Sequence, residues 1–204
     1  MKEKDIYSEL SSIRDLMERS TKFISLSGLS GIMAGIYALA GAFVGYKLVY
    51  GENSEMQLSD YSDRAVWLPL FLIAFIVLVL SLVTGVLLTI RQANKKHENY
   101  WNPVSKRLLL NLSVPLVTGG LFILILIFRG YFGMIASSCL IFYGLALVAA
   151  SQFTFSDVKW LGFCEIILGL LAAMLPGYGL VFWIIGFGIL HILYGSIMHF
   201  KYNQ

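Results

Sequence analysis

Apolar residues in this chain come in long unbroken runs, not in alternation. Positions 23–50, 66–90, 105–128, 131–151, 158–176 and 178–200 each approach or exceed the roughly 20 mostly apolar residues that a helix needs to cross a bilayer, and polar residues gather between them. Segments of this length satisfy their own backbone hydrogen bonds in lipid only as helices. The weaker alternating segments of a membrane barrel are not present. The pattern predicts an all-α fold, a polytopic integral membrane bundle of six transmembrane helices over 23–204, with the first run long enough to tilt or to emerge from the bilayer.

Residues 1–22 read differently. Ile6, Leu10, Ile13, Met17 and Ile24 recur at spacings of 3, 4 and 7, which places them on one face of a helix. Asp15–Arg19 and Glu18–Lys22 are acid-first pairs four apart that support it. The acids and bases cancel, whereas helices lying on a membrane surface are usually more basic. The expectation is a cytoplasmic N-terminal amphipathic helix. Its stripe Ile6, Leu10, Ile13, Met17 either packs on this protein's own inner face or docks a helix of a cytoplasmic protein partner. It is too short for a coiled coil. The stretch lacks the short apolar core of a signal peptide, so it is expected to remain in the mature protein.

Lys and Arg counts give the threading. Lys2, Lys4, Arg14, Arg19, Lys22, Arg91, Lys95, Lys96, Lys106, Arg107, Lys159 and Lys201 fall on one side, against Lys47, Arg64 and Arg129 on the other. The positive-inside rule puts the first group, and both termini, in the cytoplasm. Six crossings require the termini to share a side, and the count agrees. Tyr46, Tyr50, Tyr61, Trp67, Tyr131, Tyr178 and Trp183 mark the outer interface, and Tyr100, Trp101, Trp160 and Tyr202 the inner one. Runs three and four, and runs five and six, form tight hairpins turning at Arg129-Gly130 and Pro176-Gly177. The outer loop 51–63 is acidic and the inner loop 91–103 basic; the latter ends in Pro103, a fitting first-turn residue, and its charge can attract anionic lipid headgroups.

Composition narrows the class. Of 204 residues, 58% are hydrophobic and only 13% charged, with a mean hydropathy of +0.77; soluble domains carry about 25% charged residues. A bacterial cytoplasmic (inner) membrane is the expected location. A net charge of +3 spread over several loops is no nucleic-acid footprint. Cys139 and Cys164 lie inside apolar runs, so they read as packing residues, not as a disulfide or metal pair.

The sharpest departure from the pattern is Glu165, inside GFCEIILGLLAAMLPGYG. A charged side chain at the bilayer centre costs roughly 2.5–3.5 kcal/mol on insertion scales, so it should face the bundle interior and have a partner. Counting from the turn at Gly177, Glu165 lies 12 residues before and His191 14 after. At about 1.5 Å per residue both sit roughly 18–21 Å from the outer turn, at one depth on adjacent helices. A Glu–His pair can share a proton. Glu165, His191 and Tyr194 form the candidate intramembrane polar site: either a proton-sensing or ligand pocket, or a neutral lock between two helices. Asn111 and Ser113 before Pro115 read as a structural bend, and Tyr37, Tyr143 and Tyr194 are the hydroxyls an internal site can draw on.

Glycines recur four apart, as Gly31/Gly35 and Gly41/Gly45, letting helix backbones approach closely. This serves packing within the chain, with a homodimer through the first span as the alternative. His191 and His199 share a helix, which disfavours haem, and there is no second ligand pair for zinc. No cofactor and no metal are expected. GxSxG, HExxH, paired carboxylates and GK[ST] are all missing, so the chain is not expected to be an enzyme.

The segment KWLGFCEIILGLLAAMLPGYGLVFWIIGFGILHILYG, residues 159–195, resembles a hairpin of the HdeD-like acid-resistance membrane proteins. The resemblance covers about 37 of 204 residues and implies six spans, glycine-rich helix pairs and a pH-related or envelope-stress role, with no functional residue carried over. The long acidic outer loop and the amphipathic N-terminal helix depart from that family's pattern. Two functional classes stand: a non-enzymatic regulatory or scaffold protein contacting a cytoplasmic partner, and a small transporter or ligand-binding membrane protein using Glu165 and His191. The thin intramembrane polar inventory favours the first.

Overall fold

Local chemistry stops a helix where a cap is present. Asn102 begins one: its side chain accepts from the Ser105 backbone N–H at 2.8 Å, while Ser105 Oγ accepts from the Asn102 N–H at 3.0 Å, a reciprocal capping box ahead of Pro103. At the far end Gly130 adopts φ 77°, and its N–H reaches back to the Ile127 and Leu126 carbonyls, the left-handed stop that glycine makes cheap. Gly177, with φ 99°, turns the last hairpin in the same region of backbone space.

The computed structural model describes residues 27–50, 64–95 and 99–202. Six long helices follow in order: α1 (Gly28–Tyr50), α2 (Arg64–Lys95), α3 (Pro103–Arg129), α4 (Ile135–Ala150), α5 (Asp157–Met174) and α6 (Gly179–Tyr202). Short 3-10 turns, Phe132–Met134 and Ser151–Phe153, flank α4. The described residues contain no strand. α2 outruns the apolar run 66–90 because RQANK continues the helix, with Ala93 wholly buried. α6 is not uniform: Ile184–Leu190 winds as a π-helix between α-helical ends Gly179–Trp183 and His191–Tyr202. The N-terminal stripe lies outside the described residues.

Among the described residues five helical segments are long and apolar enough to cross a membrane: Gly28–Leu48, Leu68–Lys95, Pro103–Arg129, Phe132–Phe153 and Gly179–Tyr202. Only 6% of the most apolar stretch of α2 is buried in the protein, and Phe71, Leu72, Phe75, Ile76 and Leu82 face outward along it. Such a surface needs acyl chains, not water; this is the exterior of a helical membrane protein. α5 is shorter and carries Asp157, Lys159 and Glu165 in its 18 residues.

Glycines set the helix spacing. Gly144 of α4 and Gly162 of α5 face each other so closely that a Cβ on either would lie 2.6–2.8 Å from the other's carbonyl oxygen. Gly169 of α5 meets Ile141 and Ser137, about one and two turns before Gly144 in α4, so the two helices run antiparallel. Gly31 and Gly35 of α1 pack on Gly195, Ile192 and Gly188 of α6, again antiparallel, while Gly41 and Gly45 face Val77, Ile73 and Leu70 of α2. Both glycine pairs of α1 are thus used within the chain. α3 packs along α4, where Phe142 covers Gly119 and sits 5.7 Å from Phe122. A core cluster of Leu147, Phe155, Val158, Leu161 and Met198 closes the end where α4, α5 and α6 meet.

Candidate functional site

Glu165 is carried into the interior by the helix face that the glycines define. Gly162 and Gly169 put one side of α5 against α4, and Glu165 lies between them in sequence. It is 0% exposed. Its Oε2 occupies the space beside Gly186 of α6, where a Cβ would approach it to 2.6 Å, with Leu140 of α4 on the same side. Any residue larger than glycine at 186 would collide with the carboxylate.

His191 stands at the junction where the π turn reverts to α-helix. Its Nδ1 lies 3.0 Å from the Gly186 carbonyl oxygen and 3.4 Å from Glu165 Oε1. The wider winding of a π segment leaves carbonyls off the regular ladder, and Gly186 O takes a side chain five residues on. The other ring nitrogen, Nε2, lies 2.8 Å from the Tyr143 hydroxyl of α4. Tyr143 is itself packed on Phe187, ring centroids 5.2 Å apart, and Phe187 on Trp183 at 4.6 Å. Three helices therefore converge on one imidazole.

The structure brings Glu165 and His191 together, but Tyr194 goes elsewhere. It packs on the core cluster one turn further along α6, its hydroxyl beside the Leu161 backbone. Tyr143 takes the position beside His191. The depth count used for the hairpin contains the signal: Tyr143 lies 13 residues past the turn glycine Gly130, between the 12 of Glu165 and the 14 of His191.

The bonding within the cluster is unbalanced. A carbonyl oxygen only accepts, so the bond to Gly186 O requires the His191 proton on Nδ1. Both oxygens of Glu165 are buried and lack a hydrogen-bond partner among the described residues. At 3.4 Å the Nδ1 contact is longer than a good N–H···O bond. Buried polar atoms are almost always bonded, so an orphaned carboxyl calls for an explanation. Among the described residues no group of three or more His, Cys, Asp or Glu side chains could hold a metal ion.

A second polar cluster ties the ends of α5 and α6. Asp157 accepts from Lys201 Nζ at 2.8 Å and from the Tyr202 hydroxyl at 2.6 Å, and Tyr202 stacks on Phe155 at 3.9 Å. Partial burial alone would raise the Asp157 carboxyl above the ordinary range, but the Lys201 and Tyr202 bonds and the Lys201 charge outweigh it and hold the group low. Comparison of the chain with protein-family models, with curated proteins and with solved structures finds no match.

Proposed function

We propose that this is a six-crossing protein with both termini in the cytoplasm, and that it is a proton-responsive, ligand-binding membrane protein, not an enzyme, with Glu165 and His191 as its site. α5 supports the sixth crossing: it runs antiparallel to α4 and pairs Glu165 and Asp157 with successively later residues of α6. Its 18 residues span about 27 Å at 1.5 Å each, close to the hydrocarbon thickness. The lysine and arginine bias supports the orientation.

The observation that carries the functional reading is the orphaned Glu165 carboxyl. Ionised, it lacks the bonds that a buried charge needs. Protonated, its hydroxyl finds no acceptor among the described residues. A slight approach of the His191 ring would let Nδ1–H donate to the ionised carboxylate, whereas the hydroxyl of the protonated acid gains no acceptor from a nitrogen that already carries its hydrogen, so the state of the proton and the geometry of the π turn are coupled. An ionisable group inside a membrane segment is by default a functional one. An acid-resistance role, implied by the resemblance of residues 159–195 to HdeD-like proteins, would suit such a site. The regulatory or scaffold reading, with a cytoplasmic partner on Ile6, Leu10, Ile13 and Met17, rests on the sequence pattern alone.

Trp183 provides a reporter, since Phe187 links it to His191 through ring contacts of 4.6 Å and 5.9 Å. With Trp67, Trp101 and Trp160 changed to Phe, fluorescence of the protein in lipid nanodiscs should follow a sigmoidal pH titration. The titration should vanish in Glu165→Gln and His191→Gln while gel filtration stays unchanged. An identical curve in folded Glu165→Gln protein would end the proposal.

A further inference from the structure

We infer that Tyr143 is the positioning residue of the Glu165–His191 pair, and that the neutral His191 ring takes up a proton at Nε2, against the Tyr143 oxygen. The functional part of this inference rests on the proton-responsive reading above; the geometric part does not.

The proton inventory follows from the bonds. Gly186 O, 3.0 Å from Nδ1, fixes one hydrogen there. In the neutral ring Nε2 then carries the lone pair, so the Tyr143 O–H must donate to it across 2.8 Å. Nε2 is the single ring position able to accept another hydrogen. When a proton from water arrives, the new Nε2–H donates to the Tyr143 oxygen, and the hydroxyl hydrogen rotates away. An O–H bond of hydronium breaks as the Nε2–H bond forms, water leaves, and no covalent bond of the protein is broken. The ring gains one positive charge, which the Glu165 carboxylate balances from 3.4 Å on the Nδ1 side. Tyr143 therefore changes from donor to acceptor as the ring charges.

The surroundings hold Tyr143 to this task. Its neighbour Gly144 locks α4 onto the Gly162 carbonyl of α5, and Phe187 and the imidazole itself flank its ring at 5.2 and 5.3 Å. Among the described residues the titratable groups facing His191 are Tyr143 from α4 and Glu165 from α5. α1, packed on the other side of α6, presents Gly31 and Gly35 at this level, and its Tyr37 hydroxyl is turned to Thr84 at 3.2 Å. Cys139 on α4, Cys164 on α5 and Tyr194 on α6 are the other titratable side chains of this stretch among the described residues. Asp157 lies eight residues from Glu165, about 12 Å along the helix.

The experiment is magic-angle-spinning NMR of the whole protein in nanodiscs with isotope-labelled histidine, His191 being assigned by its loss in His191→Gln. In the parent protein with a neutral ring, Nδ1 should be protonated and Nε2 should show the shift of a hydrogen-bonded pyridine-type nitrogen. In Tyr143→Phe the Nε2 resonance should move to the unbonded position while Nδ1 stays. A purely structural loosening would move both nitrogens. A proton on Nε2 in the neutral parent, or an unmoved Nε2 in Tyr143→Phe, overturns the inference. Should Tyr143→Phe fail to reconstitute, infrared spectra of the parent with ring-labelled tyrosine serve instead: one C–O stretch must switch from donor to acceptor type as His191 titrates, and constancy overturns the inference. The two proposals fail separately. A Trp183 titration indifferent to Glu165 removes the proton-responsive reading and leaves the Nε2 result standing; an unmoved Nε2 removes Tyr143 and leaves the titration standing.

Discussion

Gly195→Ala measures how much of the fold depends on backbone contact between α1 and α6. The added Cβ would lie 2.5 Å from Ile32 N, 2.7 Å from Gly28 O and 2.9 Å from the Gly31 carbonyl carbon. All three are backbone atoms, so no side chain can rotate out of the way. Restoring an ordinary separation of 3.4 Å at the tightest point moves the helices apart by about 0.9 Å, and a gap of that order forfeits roughly a quarter to a half of each neighbouring dispersion contact. The loss spreads along Gly28, Gly31 and Gly35, which share the seam. Overpacking of this kind costs about 1–3 kcal/mol. The control is Gly85→Ala: a Cβ there meets nothing within 4 Å, and alanine in a helix interior is worth about 0.5–1 kcal/mol over glycine. That gain applies at both helical positions, so the two variants should differ by the overpacking cost alone, about 1–3 kcal/mol, with Gly195→Ala the less stable. Unfolding in mixed micelles, driven by added dodecyl sulfate and followed by helix content and tryptophan emission, reads both midpoints. Equal displacement of the two variants would refute the account of α1 packing.

Asp157 sits at the mouth of α5, and its carboxyl titrates low against Lys201 and Tyr202. A depressed folded value means that its contribution is fully present above the unfolded pKa of about 3.9 and fades as pH falls through the folded one. Asp157→Asn should therefore lower the dodecyl sulfate midpoint at neutral pH and leave it alone at strong acid, by less than about 1 kcal/mol because Lys201 is half exposed; an equal effect at both pH values would contradict this. Asn102→Ala removes the capping box of α3 and should cost about 0.5–2 kcal/mol in the same assay, whereas Asn102→Ser should recover most of it.

Much of this architecture could be read from the chain because lipid imposes one requirement on every crossing: an apolar run of fixed length. The run 105–128 and helix Pro103–Arg129 agree within two residues at each end, since Pro103 and Gly130 punctuate both. Glu165 and His191 were legible as a pair because a hairpin converts residue number into depth. Tyr143 was harder to single out from Tyr37 and Tyr194. It lies on α4, which runs parallel to α6, and only the separate turn at Gly130 reports its depth. Tyr194, three residues from His191, looked nearer, but its hydroxyl lies beside the Leu161 backbone and not beside the imidazole. The π winding of Ile184–Leu190 had no signal beyond Gly186 and Gly188, because a change of helical pitch depends on how neighbours press on a segment, not on its composition.

α2 makes its extensive contact with α1 alone among the described helices. Half-covered residues recur along a single edge at Leu70, Ile73, Val77, Ser81, Thr84 and Leu88. The rest of its circumference answers only to solubility in acyl tails, where leucine, isoleucine, valine and phenylalanine are interchangeable. Drift among those four residues on the outward arc should be silent, while the narrow keel against α1 fixes where this outrigger rides.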